Sequence, residues 1–216
     1  MRFQKAAHRR HDASCVPTST RVSAEMTVNV FYQYLLIIST LLLSWSGMMI
    51  THEFGHCLHA WLSGGAVARV VLHPLAISRT DCAVNPHPLL TAWGGPLIGS
   101  VLPLAILLIA KSMRASAWYV FQFFAGFCLI INGIYIAEDS FFMAGDGGDM
   151  LRNAMPRWIL LVFGAVTVPL GLYFWNGLGP FFGLGESEGK INRKAAVGTF
   201  CVLVIILIGE ILFNSR

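Results

Sequence analysis

Two histidines and a glutamate stand together in the segment His52-Glu53-Phe54-Gly55-His56, at the end of a long apolar stretch. On a helix, residues four apart lie on one face about one turn apart, so both imidazoles can reach a single metal ion. Glu53 is offset by about 100° around the helix, where its carboxylate can meet a water molecule at that ion. Zinc lowers the pKa of such a water toward about 7 and polarises a peptide carbonyl, and the carboxylate can accept the proton. The spacing therefore predicts zinc-dependent hydrolysis of peptide bonds.

The motif also has a structural interpretation, in which the two histidines bond to neighbouring helices beside a buried glutamate. Chance would place His-Glu-x-x-His in fewer than about one in a hundred chains of this composition. Burying three such polar side chains at the end of an apolar helix without a role is costly. We therefore interpret His52 and His56 as metal ligands and Glu53 as the general base.

A tetrahedral zinc site with two histidines needs a third protein ligand. His59 follows His52 by seven residues and returns to the same helical face, but the two are about 10.5 Å apart along the axis at 1.5 Å per residue. That separation is too large for one ion with bonds of about 2.0–2.1 Å. We expect His59 to support the site or an interface, or to be an ordinary histidine at a helix end.

Acidic residues follow a later apolar stretch, at Glu138-Asp139 and in the segment Asp146-Gly147-Gly148-Asp149. If three apolar helices cross a membrane in turn, the end of the third emerges on the same side as the end of the first. The acidic segment then lies beside the His-Glu-x-x-His motif, and its glycines would let the backbone turn tightly and approach an ion. The residues alone leave three possibilities open: ligation by Asp146, ligation by Asp149, or a solvated turn.

The composition is that of a multi-pass membrane protein. Hydrophobic residues make up 56% of the 216-residue chain and charged residues 12%, against about 45–50% and about 25% in soluble domains. The mean hydropathy of +0.65 agrees with this class. A disordered chain, a coiled coil and a soluble nucleic-acid binder are excluded, and the lipid bilayer rather than a nucleic acid is the expected partner. The five cysteines are scattered and form no recognisable disulfide or zinc-knuckle pattern.

Five windows almost free of charge are long enough to span a bilayer core, which needs about 20 apolar residues for about 30 Å. They cover residues 31–50, 92–110, 117–137, 158 to about 179 and 195 to about 213, the last interrupted by Glu210. The first continues as a helix through the histidine motif to residue 62. We therefore predict an all-α, multi-pass integral membrane protein with about five transmembrane helices.

Other signals concern the connections and the N-terminus. Pro169, and Gly94-Gly95 with Pro96 and Pro103, predict kinks or half-helices within two of the helices. The β-branched segment 66–90 predicts a short hairpin between the first two helices. Residues 1–28 predict a basic flexible tail, with a transit-like leader or initiation at Met26 as alternatives, and residues 29–216 a single integral-membrane domain.

Together these motifs resemble the site-2 protease family of intramembrane zinc metalloproteases, over about residues 35–155. In that family one membrane helix carries His-Glu-x-x-His and a later element presents an Asp-Gly pair whose Asp is the third ligand; residues 52–56 and Asp146-Gly147-Gly148 match these. Residues 93–100 are similar to the family's Gly-Pro loop near the substrate path, and 66–90 stand where members have a β-like hairpin. The chain departs from the family at Gly99, where members usually have Asn. It also lacks the Asn-x-x-Pro that often precedes the Asp, and Asn132 is too far upstream to replace it.

The resemblance implies a zinc endopeptidase that cleaves a membrane-embedded or juxtamembrane bond of a membrane-protein substrate. His52, His56 and Asp146 would hold the zinc, Glu53 would be the base, and the glycines and prolines of 94–103 would provide an opening between helices. The residues by themselves are also compatible with two other functions. One is a non-catalytic, protease-derived membrane protein with a structural zinc or a partner-helix-binding role, which the intact Glu53 disfavours. The other is a small transporter, which would need repeated broken helices.

Overall fold

The computed structural model describes residues 18–74, 77–187 and 190–214 and is mostly helical. Within these ranges the helices are α1 (Thr18–Leu62), α2 (Pro88–Ser112), α3 (Trp118–Phe142), α4 (Gly145–Arg152), α5 (Arg157–Trp175) and α6 (Arg193–Asn214). All except α4 contain a segment long and apolar enough to cross a membrane. The prediction of an all-α membrane protein with about five transmembrane helices is confirmed.

A two-stranded antiparallel hairpin joins α1 to α2, as predicted from the β-branched residues. Its strands are β1 (Ala66–Val71) and β2 (Arg79–Val84), with Val70 opposite Thr80 and Val67 opposite Cys82. The end of α6 fixes this hairpin. The backbone N–H of Leu72 donates to Oδ1 of Asn214 at 3.2 Å, and Nδ2 of Asn214 donates to the carbonyl of Leu72.

Glycines bring the helices together where the membrane segments cross. A Cβ at Gly55 of α1 would overlap the carbonyl of Gly94 in α2, and a Cβ at Gly94 would overlap the carbonyl of Gly55. Small residues are common at such crossings because helix association in lipid depends on close van der Waals packing. Close contacts at glycine also join α3 to α5, where Gly133 lies against the side chain of Thr167 and Gly164 against the carbonyl of Gly133. These contacts set the rotation of each helix, and hence which side chains meet.

Several details differ from the sequence-based expectations. Both α2 and α5 continue through their prolines, so the half-helices are excluded, while the kinks stay a prediction. The fourth long helix ends at Trp175 instead of near residue 179, and a 3-10 turn at Gly179–Phe182 follows it. The short helix α4 was not predicted. Helix α1 begins at Thr18 and crosses residue 28, while residues 1–17 of the predicted tail lie outside the described residues.

Candidate metal centre

Three side chains from two distant parts of the chain converge at one point. Oδ2 of Asp146 lies 2.9 Å from Nε2 of His52 and 3.1 Å from Nε2 of His56, and the two nitrogens are 3.0 Å apart. Both histidines are buried, and the side chain of Asp146 is 17% exposed. The sequence argument that the third helix returns to the side of the motif is thus borne out by the distances.

The donor set fits a divalent metal ion. Two imidazole nitrogens and one carboxylate oxygen are a common protein ligand set for zinc, which leaves a fourth tetrahedral position open. Tetrahedral bonds of about 2.0–2.1 Å separate ligand atoms by about 3.3 Å, only a few tenths of an ångström more than the distances between these three atoms. His52, His56 and Asp146 are therefore the group that could hold a metal among the described residues.

The outer nitrogen of each histidine is also bonded, which orients the inner one. Nδ1 of His52 lies 2.7 Å from Oδ1 of Asn132, and Nδ1 of His56 lies 2.7 Å from the carbonyl oxygen of Thr91. Both partners are acceptors, so each Nδ1 donates its proton outward and each Nε2 faces the centre of the cluster, where its lone pair becomes available to a metal ion once Nε2 has lost its own proton. Such outer partners commonly hold metal-binding histidines and raise their basicity.

The end of α3 places Asp146 through a sharp turn. Met143 and Gly145 both have left-handed backbones, with φ of 55° and 48°, and the chain then enters α4 with Asp146 in its first turn. The backbone N–H of Asp146 donates to the hydroxyl of Tyr135 at 3.3 Å, and the N–H of Gly147 donates to Oδ2 of Asp139 at 3.2 Å. These bonds tie the start of α4 to α3.

The two glycines after Asp146 have a different role from the one expected. They are helical, and a Cβ at Gly147 would meet Cβ of Asp139, while a Cβ at Gly148 would overlap the backbone of Met143. The glycines thus let α4 pack tightly against the end of α3, and the carboxylate side chain, not the backbone, reaches the histidines.

The environment holds Asp146 in its ionised form. Burial alone would raise the pKa of this carboxyl group, because a surrounding of low polarity disfavours charge. Hydrogen bonds from His52 and His56 and their charges act in the opposite direction and are stronger, so the pKa is lowered below its ordinary value. A carboxylate is the form that binds a metal ion.

Glu53 is buried beside this cluster, and the hairpin holds its carboxylate. It is 3% exposed, and its Oε2 accepts a hydrogen bond of 2.7 Å from the hydroxyl of Thr80 in β2. A cavity of about 660 Å³ opens at this point, and its walls include Glu53, the three converging residues and polar side chains of β2 and α4. The carboxylate of Glu53 therefore borders open space as well as the converging side chains.

Three other candidates from the sequence lie apart from the cluster. Asp149 is exposed and pairs with Arg152 at 2.6 Å, so the structure favours Asp146 over Asp149 as the residue that faces the histidines. Glu138 is exposed on α3. Nδ1 of His59 lies 2.9 Å from the carbonyl of Gly55, one turn earlier, as expected for a histidine with no place in the cluster.

Comparison with known proteins now identifies the family. The family model described as Peptidase M50B-like matches residues 24–143, which is more than half of the chain. The chain belongs to the Peptidase M50B-like family. This confirms the resemblance to site-2 proteases and makes the chain an integral membrane protein of protease type. No curated protein and no solved structure matches it.

In this M50B-like chain the segment that resembles the Gly-Pro loop is helical, contrary to the expectation of a loop. Gly94, Gly95 and Pro96 lie inside α2 and are buried. A Cβ at Gly95 would overlap Nε2 of His56 and lie 2.7 Å from Nε2 of His52. Glycine at this position therefore allows the backbone of α2 to pass directly over the histidine pair.

Asn132 lies too far upstream to stand for the Asn of the missing Asn-x-x-Pro motif, but it is part of this site. It is 1% exposed on α3, and its amide stands next to Gly99, where a Cβ would be 3.0 Å from Nδ2 of Asn132. The absence of a side chain at Gly99 thus leaves room for the amide that bonds His52. Asn132 and Thr80 are the residues that sequence reasoning missed, and the one signal for Asn132 was a polar residue in an apolar helix.

Proposed function

We propose that this M50B-like protein is a zinc-dependent intramembrane endopeptidase that cleaves membrane-embedded or juxtamembrane peptide bonds of a membrane-protein substrate. His52, His56 and Asp146 would hold the zinc, and Glu53 would act as the general base. The observation that carries the proposal is the convergence of the three donor atoms within about 3 Å of one another, with the Glu53 carboxylate lining the same cavity.

When bound, zinc would polarise the substrate carbonyl and activate a water molecule for attack. Glu53 accepts the proton of that water and returns it to the leaving amine, as a positioned carboxylate does in general acid–base catalysis. Thr80 keeps the carboxylate turned into the cavity through its 2.7 Å hydrogen bond. Asn132 and the carbonyl of Thr91 accept hydrogen bonds from the Nδ1 atoms and so hold both imidazoles with Nε2 facing inward.

The position of the site supports hydrolysis at the boundary of the membrane. The motif lies in the final turns of α1, a helix with a long apolar segment, and the cavity beside it is lined by polar groups such as Arg79, Asp81 and Asn85. Water can therefore reach a carboxylate that sits at the end of a membrane helix. The buried Glu53 is superfluous to a purely structural metal site, which needs ligands but no base.

The proposal is tested with the purified full chain in proteoliposomes that also contain a panel of labelled single-span peptides. We expect about one zinc per chain, cleavage of at least one peptide, loss of both on treatment with a chelator, and recovery of both when zinc is added back. His52→Ala and His56→Ala should abolish zinc binding, while His59→Ala, the same change one turn further on, should leave it intact.

A chain that binds zinc through His52 and His56 but cleaves no peptide would favour the non-catalytic alternative with a structural metal. Unchanged zinc in both histidine variants would contradict the metal site itself.

A further inference from the structure

We propose that a second, apolar cavity next to the metal centre binds an apolar side chain of the residue adjoining the scissile peptide bond. This inference rests on the proposed protease function and adds a substrate preference to it: a leucine-, methionine- or phenylalanine-sized residue at the cleavage position.

The cavity lies between α1 and α3 and has a volume of about 170 Å³. Its apolar wall is formed by Met48 and Met49, which are 7% and 4% exposed, by the partly buried Ile131 and by Trp45. Met48 and Met49 pack with Cys128 and neighbouring phenylalanines in one hydrophobic cluster. The wall is therefore well packed from behind, and the long flexible methionine side chains can adapt to an apolar group.

The apolar cavity adjoins the polar one that contains the candidate metal centre. Both are lined by His52, Glu53, Ile77, Ser78 and Tyr135. A side chain that enters the apolar cavity therefore has its own backbone beside His52 and Glu53, where hydrolysis would take place. The arrangement divides the site into a polar part for water and main chain and an apolar part for one side chain.

Three of the polar groups on the wall of the apolar cavity already have hydrogen-bond partners. The Asn132 amide bonds His52 and the carbonyl of Cys128, and the Glu53 carboxylate accepts the hydroxyl of Thr80. The hydroxyl of Tyr135 accepts the N–H of Asp146. An anionic or neutral polar side chain would find few partners there and would lose its hydration, which is costly.

The size of the cavity selects among apolar groups. A cavity of about 150 Å³ lined by aliphatic and aromatic residues admits benzene, so one of this volume accommodates an isobutyl, thioether or phenyl group. An alanine methyl group would leave most of it unfilled, whereas a naphthyl group would fill it with little room for adjustment at the packing density of protein interiors. The preference should therefore rise from alanine to leucine and phenylalanine and fall again at larger groups.

Simple hydroxamates test this without knowledge of the natural substrate, because the hydroxamate group chelates zinc and presents a single side chain beside it. The zinc-loaded full chain in lipid nanodiscs is titrated with acetohydroxamate and with two series, amino-acid and succinyl hydroxamates. These series place alanine, leucine, phenylalanine or naphthyl side chains on either side of the metal. Burial of one leucine or phenylalanine side chain corresponds to a gain of about tenfold to hundredfold in affinity.

We expect that gain over alanine in one of the two series. Ile131→Trp, which fills the cavity, should remove the gain and leave acetohydroxamate binding unchanged. The same substitution at Ile134, which lies three residues further on α3 and is 47% exposed, should keep the gain. Met49→Ala, which enlarges the cavity, should shift the preference toward the naphthyl group and provides a second variant if Ile131→Trp fails to fold.

Acetohydroxamate binding with no side-chain preference in either series, or a preference that survives in Ile131→Trp, would overturn the inference and leave the protease proposal standing. The absence of a side-chain preference is the result expected if a lipid acyl chain, and not a substrate side chain, occupies the cavity. Failure of every hydroxamate to bind, together with absence of zinc, would instead overturn the proposed metal site on which this inference depends.

Discussion

Oδ1 of Asn132 lies 2.7 Å from Nδ1 of His52, and this contact joins α3 to α1 at the candidate metal centre, through residues 80 positions apart in the chain. The Asn132 amide is itself fixed, because its Nδ2 donates to the carbonyl of Cys128 at 2.8 Å. The amide therefore presents its oxygen to the imidazole and fixes the tautomer of His52. Helix α3 thus contributes to the cluster twice: Asn132 within the helix orients His52, and the turn after its end places Asp146.

We predict that Asn132→Ala weakens zinc binding without unfolding the protein. Removal of a group that orients a metal-binding histidine typically costs about 10–100-fold in metal affinity. Asn132→Asp keeps an acceptor at the same place and should retain most of the affinity, whereas Asn176→Ala, at an exposed position after α5, should change nothing. Zinc affinities from competition with a fluorescent chelator distinguish these variants; equal affinities in all three would assign no role to Asn132.

A second prediction concerns the hairpin. Thr80→Val removes the hydroxyl that donates to Glu53 but keeps the shape of the side chain. A hydrogen bond to a charged group contributes about 1.5–3 kcal/mol, so kcat/KM should fall by about 10–100-fold. Thr80→Ser should restore most of the activity, and the zinc content should be the same in all three proteins. Full activity in Thr80→Val would mean that the base needs no support from β2.

Gly95→Ala tests the close passage of α2 over the histidine pair. The new methyl group would overlap Nε2 of His56 and displace the ring. Misplacement of a catalytic group by about 1 Å can cost about 100-fold in rate, and we expect a loss of that order together with reduced zinc. The matched control is Gly198→Ala in α6, where a Cβ has no neighbour within 4 Å. Similar activities of the two variants would contradict the packing described for α2.

Asp146→Ala should lower zinc occupancy more than Asp149→Ala or Glu138→Ala. Asp146 is the acidic residue within hydrogen-bonding distance of both histidines, whereas Asp149 pairs with Arg152 on the surface. Metal analysis of the three purified variants gives the ranking. An equal loss in all of them, or a larger loss in Asp149→Ala, would move the third ligand away from Asp146.

The histidine motif could be predicted from the sequence because helix geometry is local: residues four apart share a face whatever the rest of the chain does. Asp146 could be placed on the correct side by counting membrane crossings. Asn132 and Thr80 could not be placed, because their contacts depend on the rotation of α3 about its axis and on the register of the hairpin. Both are tertiary properties, determined here by close glycine contacts between helices and by strand pairing.

Helix α4 shows that local structure, too, could not be fully predicted from the sequence. Its sequence Gly-Asp-Gly-Gly-Asp-Met-Leu-Arg has low helix propensity, since each glycine costs about 1 kcal/mol relative to alanine in a helix interior. Packing against α3 outweighs that cost, and it requires the glycines, because a Cβ at Gly147 or Gly148 would collide with the end of α3. The residues that predicted a turn are thus the ones that permit a helix.

Glu53→Gln provides the most direct test of the central claim. The change keeps the size and polarity of the side chain but removes the carboxylate that must accept a proton. Since general acid–base catalysis by a positioned group contributes about 10²–10⁴-fold, cleavage of a peptide that the wild type cuts should fall by at least that factor while about one zinc per chain stays bound. Undiminished cleavage by zinc-loaded Glu53→Gln would contradict the assignment of Glu53 as the base.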